Sequence, residues 1–194
     1  MTKEALKTLI FDTATKSKKP IVIAFDGRSG VGKSTLVRDL REALGAAVID
    51  GDDFYSGGDY AVWAARTAEQ NAAACIDWQR LKQEALLPLL QNRPAQWHAF
   101  DWDKGVGVGA KASYCQPNKT IFLDGTYSSR PELQGLITIS VLVTVPENVR
   151  VTQLAAREGG DYNDPMQHLW AQAEHYYFTH VRPPRSFDVV LSLQ

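Results

Sequence analysis

An α/β fold built on a parallel sheet is predicted for this chain by three observations. Short apolar stretches that suit buried strands alternate with longer stretches whose apolar residues recur at helical spacing. A glycine-rich segment, residues 27–34, joins the first of these strands to the helix after it. The chain of 194 residues is long enough for one domain with a substantial core. Strands that alternate in this way with helices pair in parallel through right-handed crossovers, which places helices on both faces of the sheet.

The first half of the chain is predicted to supply an N-terminal helix, two strands and three further helical regions. The predicted elements are an amphipathic helix with a basic tether (residues 1–19), strands at 21–25 and 46–49, and helices at 36–44, 61–74 and 77–90. Gly45 is a suitable stop for the second helix, and Asp77 is a suitable cap for the last. Pro88 is expected to kink or shorten that last helix, because it lacks an amide proton and its ring clashes with the preceding turn.

The second half is predicted to begin with a hairpin outside the main sheet. Residues 94–118 combine aromatic side chains with a glycine-rich tip at Gly105, Gly107 and Gly109. After this excursion the pattern predicts strands at 120–123, 137–145 and 187–191 and helices at 147–157 and 165–178. Residues 157–165 contain a Gly-Gly break and are interpreted as a lid.

The charge balance favours small-molecule chemistry over binding to nucleic acid or to a lipid surface. Lys and Arg number 21 against 22 Asp and Glu, so no global positive field attracts a polyanion. Residues 1–20 are interrupted by charges and lack the apolar core of a secretory signal, and no apolar stretch is long enough to cross a bilayer. We therefore expect a cytoplasmic protein without a membrane partner. Cys75 and Cys115 form no metal-binding pair and are interpreted as reduced thiols, although their spacing alone leaves a disulfide open.

Residues 27–34 match the phosphate-binding pattern G-x-x-x-x-G-K-[ST]. Between a strand and a helix, its glycines allow the backbone to curl so that successive amide groups point at phosphate oxygens. Lys33 and the positive end of the following helix add charge, and the Ser34 hydroxyl is suited to Mg²⁺. A nucleoside triphosphate is therefore the expected ligand. The residues expected to bind it are Gly27, Arg28, Ser29, Gly30, Val31, Gly32, Lys33, Ser34 and Thr35.

Acidic residues follow two predicted strands at their carboxyl ends, where ligands collect in open α/β sheets. Asp50, Asp52 and Asp53 come after the second strand, and Asp124 follows the strand at 120–123. Phosphoryl transfer needs one acid to orient or deprotonate the attacking hydroxyl group and another to hold the metal. Asp124 is interpreted as the metal-binding acid, and at least one of the other three as catalytic. Capping or solvation of a turn is the alternative for each of them.

Two arginines follow the strand at 137–145. Arg150 and Arg157 are seven residues apart, close to two helical turns, so a continuous helix places them on one face. Guanidinium groups beside a Gly-Gly break suit a lid that closes over phosphates and stabilises charge on the transferred phosphoryl group. Exposed arginines on an ordinary surface helix are the alternative.

Aromatic residues around an acid predict a pocket for the acceptor. Phe100 and Asp101, with Trp97 nearby, suit a pocket in which rings form a wall and the carboxylate accepts hydrogen bonds from hydroxyl groups. Tyr55 is expected to project into the same pocket. A small core beneath the hairpin is the alternative for the tryptophans. Trp170, by contrast, is predicted to be a core residue of its helix.

In this order, the motifs resemble those of the uridine kinase and phosphoribulokinase group of P-loop kinases, which phosphorylate hydroxyl groups of small metabolites. The resemblance covers about residues 21–191. It rests on residues 27–34, Asp52-Asp53-Phe54-Tyr55, Phe100-Asp101-Trp102, Asp124-Gly125, Arg150 and Arg157.

The resemblance implies the three-layer P-loop fold with a five-stranded parallel sheet, and Mg²⁺-ATP as the phosphoryl donor. It implies that Asp52 is the base and that Arg150 and Arg157 lie near the phosphates with Lys33. It also implies that Asp101 and its aromatic neighbours bind a small acceptor that carries a hydroxyl group.

Two other functions are open at this point. A nucleotide-dependent switch with slow hydrolysis would also use the phosphate loop, but residues 118–121 lack the acid of the Asn-Lys-x-Asp element that selects guanine. A nucleoside monophosphate or antibiotic kinase would need extra cations for its acceptor. Candidates for these cations are Arg28, Arg66, Arg80 and Arg130, and each is equally explained as a surface residue.

Overall fold

The central sheet of the protein consists of parallel strands. The structure, a computed structural model, describes residues 1–157 and 164–193. Its strands are β1 (Ile21–Asp26), β2 (Ala47–Asp50), β3 (Ala95–Phe100), β4 (Val108–Cys115), β5 (Thr120–Asp124), β6 (Ile139–Thr144) and β7 (Val189–Ser192). Within the described ranges, five of them form an all-parallel sheet in the order β2-β5-β1-β6-β7. The predicted α/β fold with a five-stranded parallel sheet is confirmed.

Helices cover both faces of this sheet. They are α1 (Lys3–Lys16), α2 (Lys33–Leu44), α3 (Tyr60–Ala64), α4 (Ala68–Ala74), α5 (Trp78–Arg80), α6 (Leu87–Leu90), α7 (Glu147–Arg157) and α8 (Pro165–Tyr176). Wider π-type turns at Leu81–Leu86 join α5 to α6, and similar turns at Tyr177–Val181 extend α8. We find no described helix that combines the length and the apolar character that a membrane crossing would require.

The central strands are apolar on both faces because successive side chains point to opposite sides of the sheet. On one face, Ile23 of β1 packs in a buried cluster with Leu6 of α1 and Leu40 of α2. On the other face, Val22 belongs to a second buried cluster that includes Tyr177 at the end of α8. Among the described residues, the sheet is therefore enclosed between two helical layers.

Two predicted helices differ in the structure from their expected form. The region 61–74 is divided into α3 and α4, because Thr67 and Gln70 form a reciprocal cap that begins a new helix. Pro88 does not end its helix, which continues to Leu90. The π-type turns before it bond amides to carbonyl groups five residues back, as in the bond from Leu87 to Lys82, and this wider spacing accommodates the proline ring.

The strands β3 and β4 form an antiparallel hairpin separate from the main sheet. This hairpin corresponds to the predicted excursion at residues 94–118. Its base is anchored by Trp97, whose ring lies 5.6 Å from that of Phe54, in the turn after β2. The hairpin is therefore held beside the carboxyl end of the sheet.

The loop that follows β1 is fixed by a buried carboxylate. Asp26 accepts hydrogen bonds from the amides of Gly27 (2.8 Å), Tyr127 (2.8 Å) and Ser129 (3.0 Å) and from the Tyr177 hydroxyl (2.8 Å). Burial raises the pKa of Asp26, and these donors oppose the rise. The backbone of Tyr127 has φ 72°, a left-handed conformation that is costly for a residue other than glycine. One side chain thus joins the end of β1, the loop after β5 and the end of α8.

We expect Asp26→Ala to lower the free energy of unfolding by about 3 kcal/mol or more, because it leaves several buried donors without an acceptor. Tyr177→Phe removes only one donor and keeps the ring, so its expected cost is about 1–2 kcal/mol. Urea denaturation of both variants measures these values. A larger loss for Tyr177→Phe than for Asp26→Ala would contradict the central role of the carboxylate.

Candidate active site

Two glycines set the turn from β1 into α2. Gly27 has φ 148°, and its Cα lies so close to β6 that an added Cβ would be 2.4 Å from the carbonyl oxygen of Val143. Gly32, with φ 87°, immediately precedes the first residue of α2. Both conformations favour glycine, and Gly27 has no space for a side chain. The backbone requirement of the phosphate-binding pattern is therefore met in the structure.

The ammonium group of Lys33 is held inside the phosphate loop. It donates to the carbonyl oxygens of Gly27 (2.8 Å) and Arg28 (3.1 Å) and to the hydroxyl of Thr126 (3.2 Å). Only 8% of the residue is exposed. Its positive charge consequently lies in the wall beside the loop, where phosphate oxygens of a nucleotide would bind.

A cavity of about 570 Å³ opens beside this loop. The predicted nucleotide-binding residues that line it are Ser29, Gly30, Val31, Gly32, Lys33, Ser34 and Thr35. Gly27 and Arg28 do not line it. Gly27 is buried against β6, and Arg28 forms ion pairs of 3.5 Å with Glu147 and with Glu174. We call this space the donor cavity.

Asp124 and Ser34 form a pair that fits a magnesium ion. The Ser34 hydroxyl lies near the Asp124 carboxylate, whose Oδ1 is buried and has no hydrogen-bond partner among the described residues. Burial raises the pKa of Asp124, while Ser34 and Lys33 oppose the rise. In the described ranges no group of three or more His, Cys, Asp or Glu side chains could hold a metal by itself. Mg²⁺ usually takes one or two protein carboxylates together with substrate phosphates and water, so this sparse donor set suits it.

A second cavity, of about 330 Å³, adjoins the first. Aromatic side chains in its wall are Tyr55, Trp102, Tyr127 and Trp170. Polar side chains in its wall are Ser29, Asp52, Cys75, Thr126, Arg157, Gln167 and Glu174. Four of these residues line the donor cavity as well, namely Ser29, Asp52, Thr126 and Arg157. The two cavities therefore meet, and we call the second one the acceptor cavity.

The structure distinguishes the three acids that follow β2. Asp50 accepts a hydrogen bond from the amide of Asp52 (3.0 Å), and Asp53 accepts one from the indole of Trp97 (2.7 Å). Asp52 lines both cavities. Solvent reaches Asp52 through the cavities while protein surrounds its other sides, and this burial raises the pKa of its carboxyl against the opposing charges of Lys33 and Arg157. Asp52 is the acid placed between the two binding spaces.

Only some of the residues predicted to bind the acceptor line the acceptor cavity. Asp52 and Tyr55 line the acceptor cavity, whereas Trp97, Phe100 and Asp101 do not. The Phe100 ring packs edge-on against Tyr55 at 4.8 Å and so supports the cavity wall from behind. Trp97 is buried at the base of the hairpin, as the alternative for the tryptophans anticipated.

Asp101 closes the turn at the tip of the hairpin. Its carboxylate accepts hydrogen bonds from the Lys104 amide (3.1 Å) and from the Lys104 ammonium group (2.8 Å). These bonds lower the pKa of Asp101. In this structure Asp101 therefore shapes the hairpin and does not face the acceptor cavity.

The two arginines of α7 have different surroundings. Arg150 is buried and donates to Glu147 at 2.6 and 2.9 Å and to the carbonyl oxygen of Ser29 at 3.2 Å. Arg157 is exposed and lines both cavities. Arg150 thus braces the phosphate loop from outside, whereas Arg157 reaches the place where the cavities meet. The predicted lid at residues 157–165 falls mainly outside the described residues.

One face of α8 was missed as part of the site. Gln167, Trp170 and Glu174 are three and four residues apart and all line the acceptor cavity. The prediction that Trp170 is a core residue was only partly correct, since its ring packs on Trp63 at 4.8 Å and also lines the cavity. The helical spacing of these residues was a usable signal, because two polar side chains share a face with a tryptophan.

Comparison with known proteins identifies the fold. Neither a family model nor a curated protein matches the chain. A solved structure from Silicibacter sp. TM1040, provisionally assigned as a fructose transport system kinase, matches with a TM-score of 0.69 and 20% identity over 98% of each chain. A possible uridine kinase from Bacillus stearothermophilus matches with a TM-score of 0.66 and 19% identity over 96% of this chain and 99% of that one.

A D-glycerate 3-kinase from Cryptococcus neoformans also matches, with a TM-score of 0.62 and 13% identity over 89% of this chain and 87% of that one. The chain has the fold of small-molecule P-loop kinases. The predicted resemblance to the uridine kinase and phosphoribulokinase group is thereby confirmed at the level of the fold.

The charge cluster at the end of β2 makes folding sensitive to pH. Burial raises the pKa of Asp50 from 3.8 to about 7, and the neighbouring carboxylates Asp52, Asp53 and Asp124 contribute to the rise. In the unfolded chain the carboxyl of Asp50 has the ordinary pKa of 3.8 and loses its proton near that pH. Folding therefore takes up a proton between these pH values, and the stability that depends on Asp50 falls as pH rises from about 4 to 7.

We expect Asp50→Asn to stabilise the nucleotide-free protein at pH 8 and to leave its stability unchanged at pH 4. Asparagine keeps the oxygen that binds the Asp52 amide, and solvent screening limits the gain to about 1 kcal/mol, or about 2–4 °C in melting temperature. Thermal melts at both pH values measure the effect, with Asp103→Asn on the exposed hairpin tip as the control. A gain that is equal at pH 4 and pH 8 would contradict this origin.

Proposed function

We propose that the protein is an ATP- and Mg²⁺-dependent kinase that transfers the γ-phosphoryl group to a hydroxyl group of a small metabolite. The observation that carries the proposal is the position of Asp52 and Arg157, which line the donor cavity and the acceptor cavity alike. Phosphoryl transfer from one ligand to another needs an acid and a cation at the place where the two binding spaces meet.

The donor side holds the nucleotide through its phosphates. Backbone amides of the phosphate loop and the positive end of α2 receive the phosphate oxygens, and Lys33 adds a fixed positive charge. Ser34 and Asp124 would hold Mg²⁺, which supplies charge neutralisation on the phosphate oxygens when it is bound. The remaining contribution of the protein is to position the acceptor.

Asp52 activates the acceptor hydroxyl. As the hydroxyl oxygen forms its bond to the γ-phosphorus and the bond from that phosphorus to the ADP oxygen breaks, the Asp52 carboxylate accepts the hydroxyl proton. Its pKa is raised by burial, which brings the basicity of the carboxylate closer to neutral pH while Lys33 and Arg157 favour its charged form. Arg157 stabilises the negative charge on the transferred group from the same position.

We expect Asp52→Asn to lower phosphoryl transfer by about 10²–10⁴-fold, because it removes the base without changing the size of the side chain. The assay supplies ATP radiolabelled in its γ-phosphate together with a small-molecule extract of cells, and measures label in new phosphorylated compounds. Binding of a non-hydrolysable ATP analogue, followed by the rise in melting temperature, should persist in the variant.

The matched control for this variant is Asp53→Asn, since Asp53 lies on the same turn and binds Trp97 instead of lining a cavity. Transfer by Asp52→Asn at the rate of Asp53→Asn would remove Asp52 from the role of base. Label that passes only into inorganic phosphate, in every variant, would favour the nucleotide-dependent switch and would reject the kinase.

Arg157→Gln is expected to lower the rate of transfer by about 10²-fold or more with little loss of stability, because it removes a cation that acts on the transferred group. Arg150→Gln is expected to lower the melting temperature instead, because Arg150 is buried against the phosphate loop. The same labelling assay and thermal melts separate these effects. Equal losses of transfer rate and stability in the two variants would contradict the division of roles.

A further inference from the structure

A buried carboxylate links the acceptor cavity to the phosphate loop. Glu174 of α8 is only 3% exposed, and its Oε1 accepts hydrogen bonds from the amide (2.9 Å) and the hydroxyl (2.5 Å) of Ser29. Its Oε2 lies 3.5 Å from Nε of Arg28. Each of these groups donates a hydrogen bond to a carboxylate oxygen, an arrangement that suits the ionised form of the side chain. Glu174 therefore holds a negative charge at the point where α8 meets the loop.

The second oxygen of this carboxylate retains capacity for a ligand. A carboxylate offers about four acceptor positions, and the contact of Oε2 with Arg28 is at the outer limit of a hydrogen bond. Glu174 lines the acceptor cavity together with Trp170 and Gln167 on the same face of α8. An acceptor that packs against Trp170 can thus donate a hydrogen bond from a hydroxyl or amine group to Glu174.

The charges around the acceptor cavity are unfavourable to an anion. Among the described residues that line it, the charged side chains are the carboxylates Asp52 and Glu174 and the guanidinium group of Arg157. Arg157 also lines the donor cavity, where nucleotide phosphates would bind. Cys75 adds no negative charge, because burial raises the pKa of its thiol. A negatively charged acceptor would face two carboxylates and the γ-phosphate, and Arg157 is the one cationic side chain among the described residues that line this cavity.

The four arginines named as candidates for binding an acceptor phosphate have other partners. None of the four candidate arginines belongs to the described lining of the acceptor cavity. Their partners are Glu147 and Glu174 for Arg28, the Trp63 ring for Arg66, Glu84 for Arg80, and Glu132 for Arg130. This arrangement disfavours a nucleoside monophosphate as the acceptor.

We infer that the acceptor carries no negative charge and that Glu174 helps to select acceptors by their charge. This inference rests on the proposed function. The acceptor is a hydroxyl compound that is uncharged or cationic, with one side packed against the aromatic wall and a proton donor directed to Glu174. Phosphorylated acceptors and acidic ones, such as sugar acids, are rejected because their charge would lie beside two carboxylates.

The experiment separates acceptors by their charge and does not require their identity. A small-molecule extract of cells is passed over an anion-exchange resin at pH 7, and the retained and unretained fractions are each incubated with the protein and with ATP labelled in its γ-phosphate. We expect the labelled small-molecule product to form from the unretained fraction, in an amount at least about 10-fold above that from the retained fraction.

The outcomes distinguish this inference from the function on which it rests. Product that forms mainly from the retained fraction overturns the inference and leaves the kinase intact. Absence of labelled product from both fractions, with label only in ATP or inorganic phosphate, rejects the proposed kinase and the inference with it.

A variant tests the role of Glu174 itself. Glu174→Gln keeps the shape of the side chain but removes its charge, so the ratio of product from the unretained fraction to product from the retained fraction is expected to fall about 10-fold. The control is Glu69→Gln, which removes an exposed carboxylate on α4, outside both cavities, and is expected to keep the wild-type ratio. Stabilisation by a non-hydrolysable ATP analogue shows that each variant is folded. An unchanged ratio in Glu174→Gln would overturn the role of Glu174.

Discussion

The buried carboxylate of Asp26 is the interaction on which the geometry of the site depends. It accepts four hydrogen bonds, which come from the phosphate loop, from the loop after β5 and from the Tyr177 hydroxyl at the end of α8. Without this acceptor the buried donors would be left unsatisfied, and the left-handed backbone of Tyr127 would lose a restraint. Since Tyr127 also lines the acceptor cavity, the Asp26 carboxylate fixes the relative positions of the phosphate loop and part of the acceptor cavity wall.

Electrostatic strain is concentrated at the carboxyl ends of β2 and β5. Asp52 and Asp124 each raise the pKa of Asp50, Asp52 also raises the pKa of Asp124, and burial raises the pKa of all three. A cluster of this kind costs stability in the nucleotide-free protein, as functional sites commonly do. The positive charges of Lys33 and Arg157 offset part of the cost. A bound magnesium ion would offset more, so nucleotide and metal are expected to stabilise the fold together.

The helix α8 contacts both the acceptor cavity and the phosphate loop. Its cavity face carries Trp170 and Glu174, and the same Glu174 holds the amide and hydroxyl of Ser29 in the phosphate loop. Arg150 of α7 donates a hydrogen bond to the carbonyl oxygen of the same Ser29. The phosphate loop is thus clamped between two helices at one residue. An acceptor bound to Glu174, as we propose, would act directly on a group that positions the phosphate loop, and this would tie the choice of acceptor to the position of the phosphates.

The phosphate loop, the order of strands and helices and the acids at strand ends could be predicted from the sequence, because each is encoded by neighbouring residues. The turn needs glycines at fixed spacing, and apolar periodicity follows from helix and strand geometry. The pattern of acids left Asp50, Asp52 and Asp53 as alternatives, and only the family resemblance implied Asp52 as the base. The sequence did not show that Arg157 lines the cavities while Arg150 does not, or that Glu174 lines the acceptor cavity while Asp101 does not. Those outcomes depend on which way each side chain points once α7, α8 and the hairpin pack at the end of the sheet. Side-chain direction there is decided by contacts between residues far apart in the chain, such as Ser29 with Glu174, which no local pattern records.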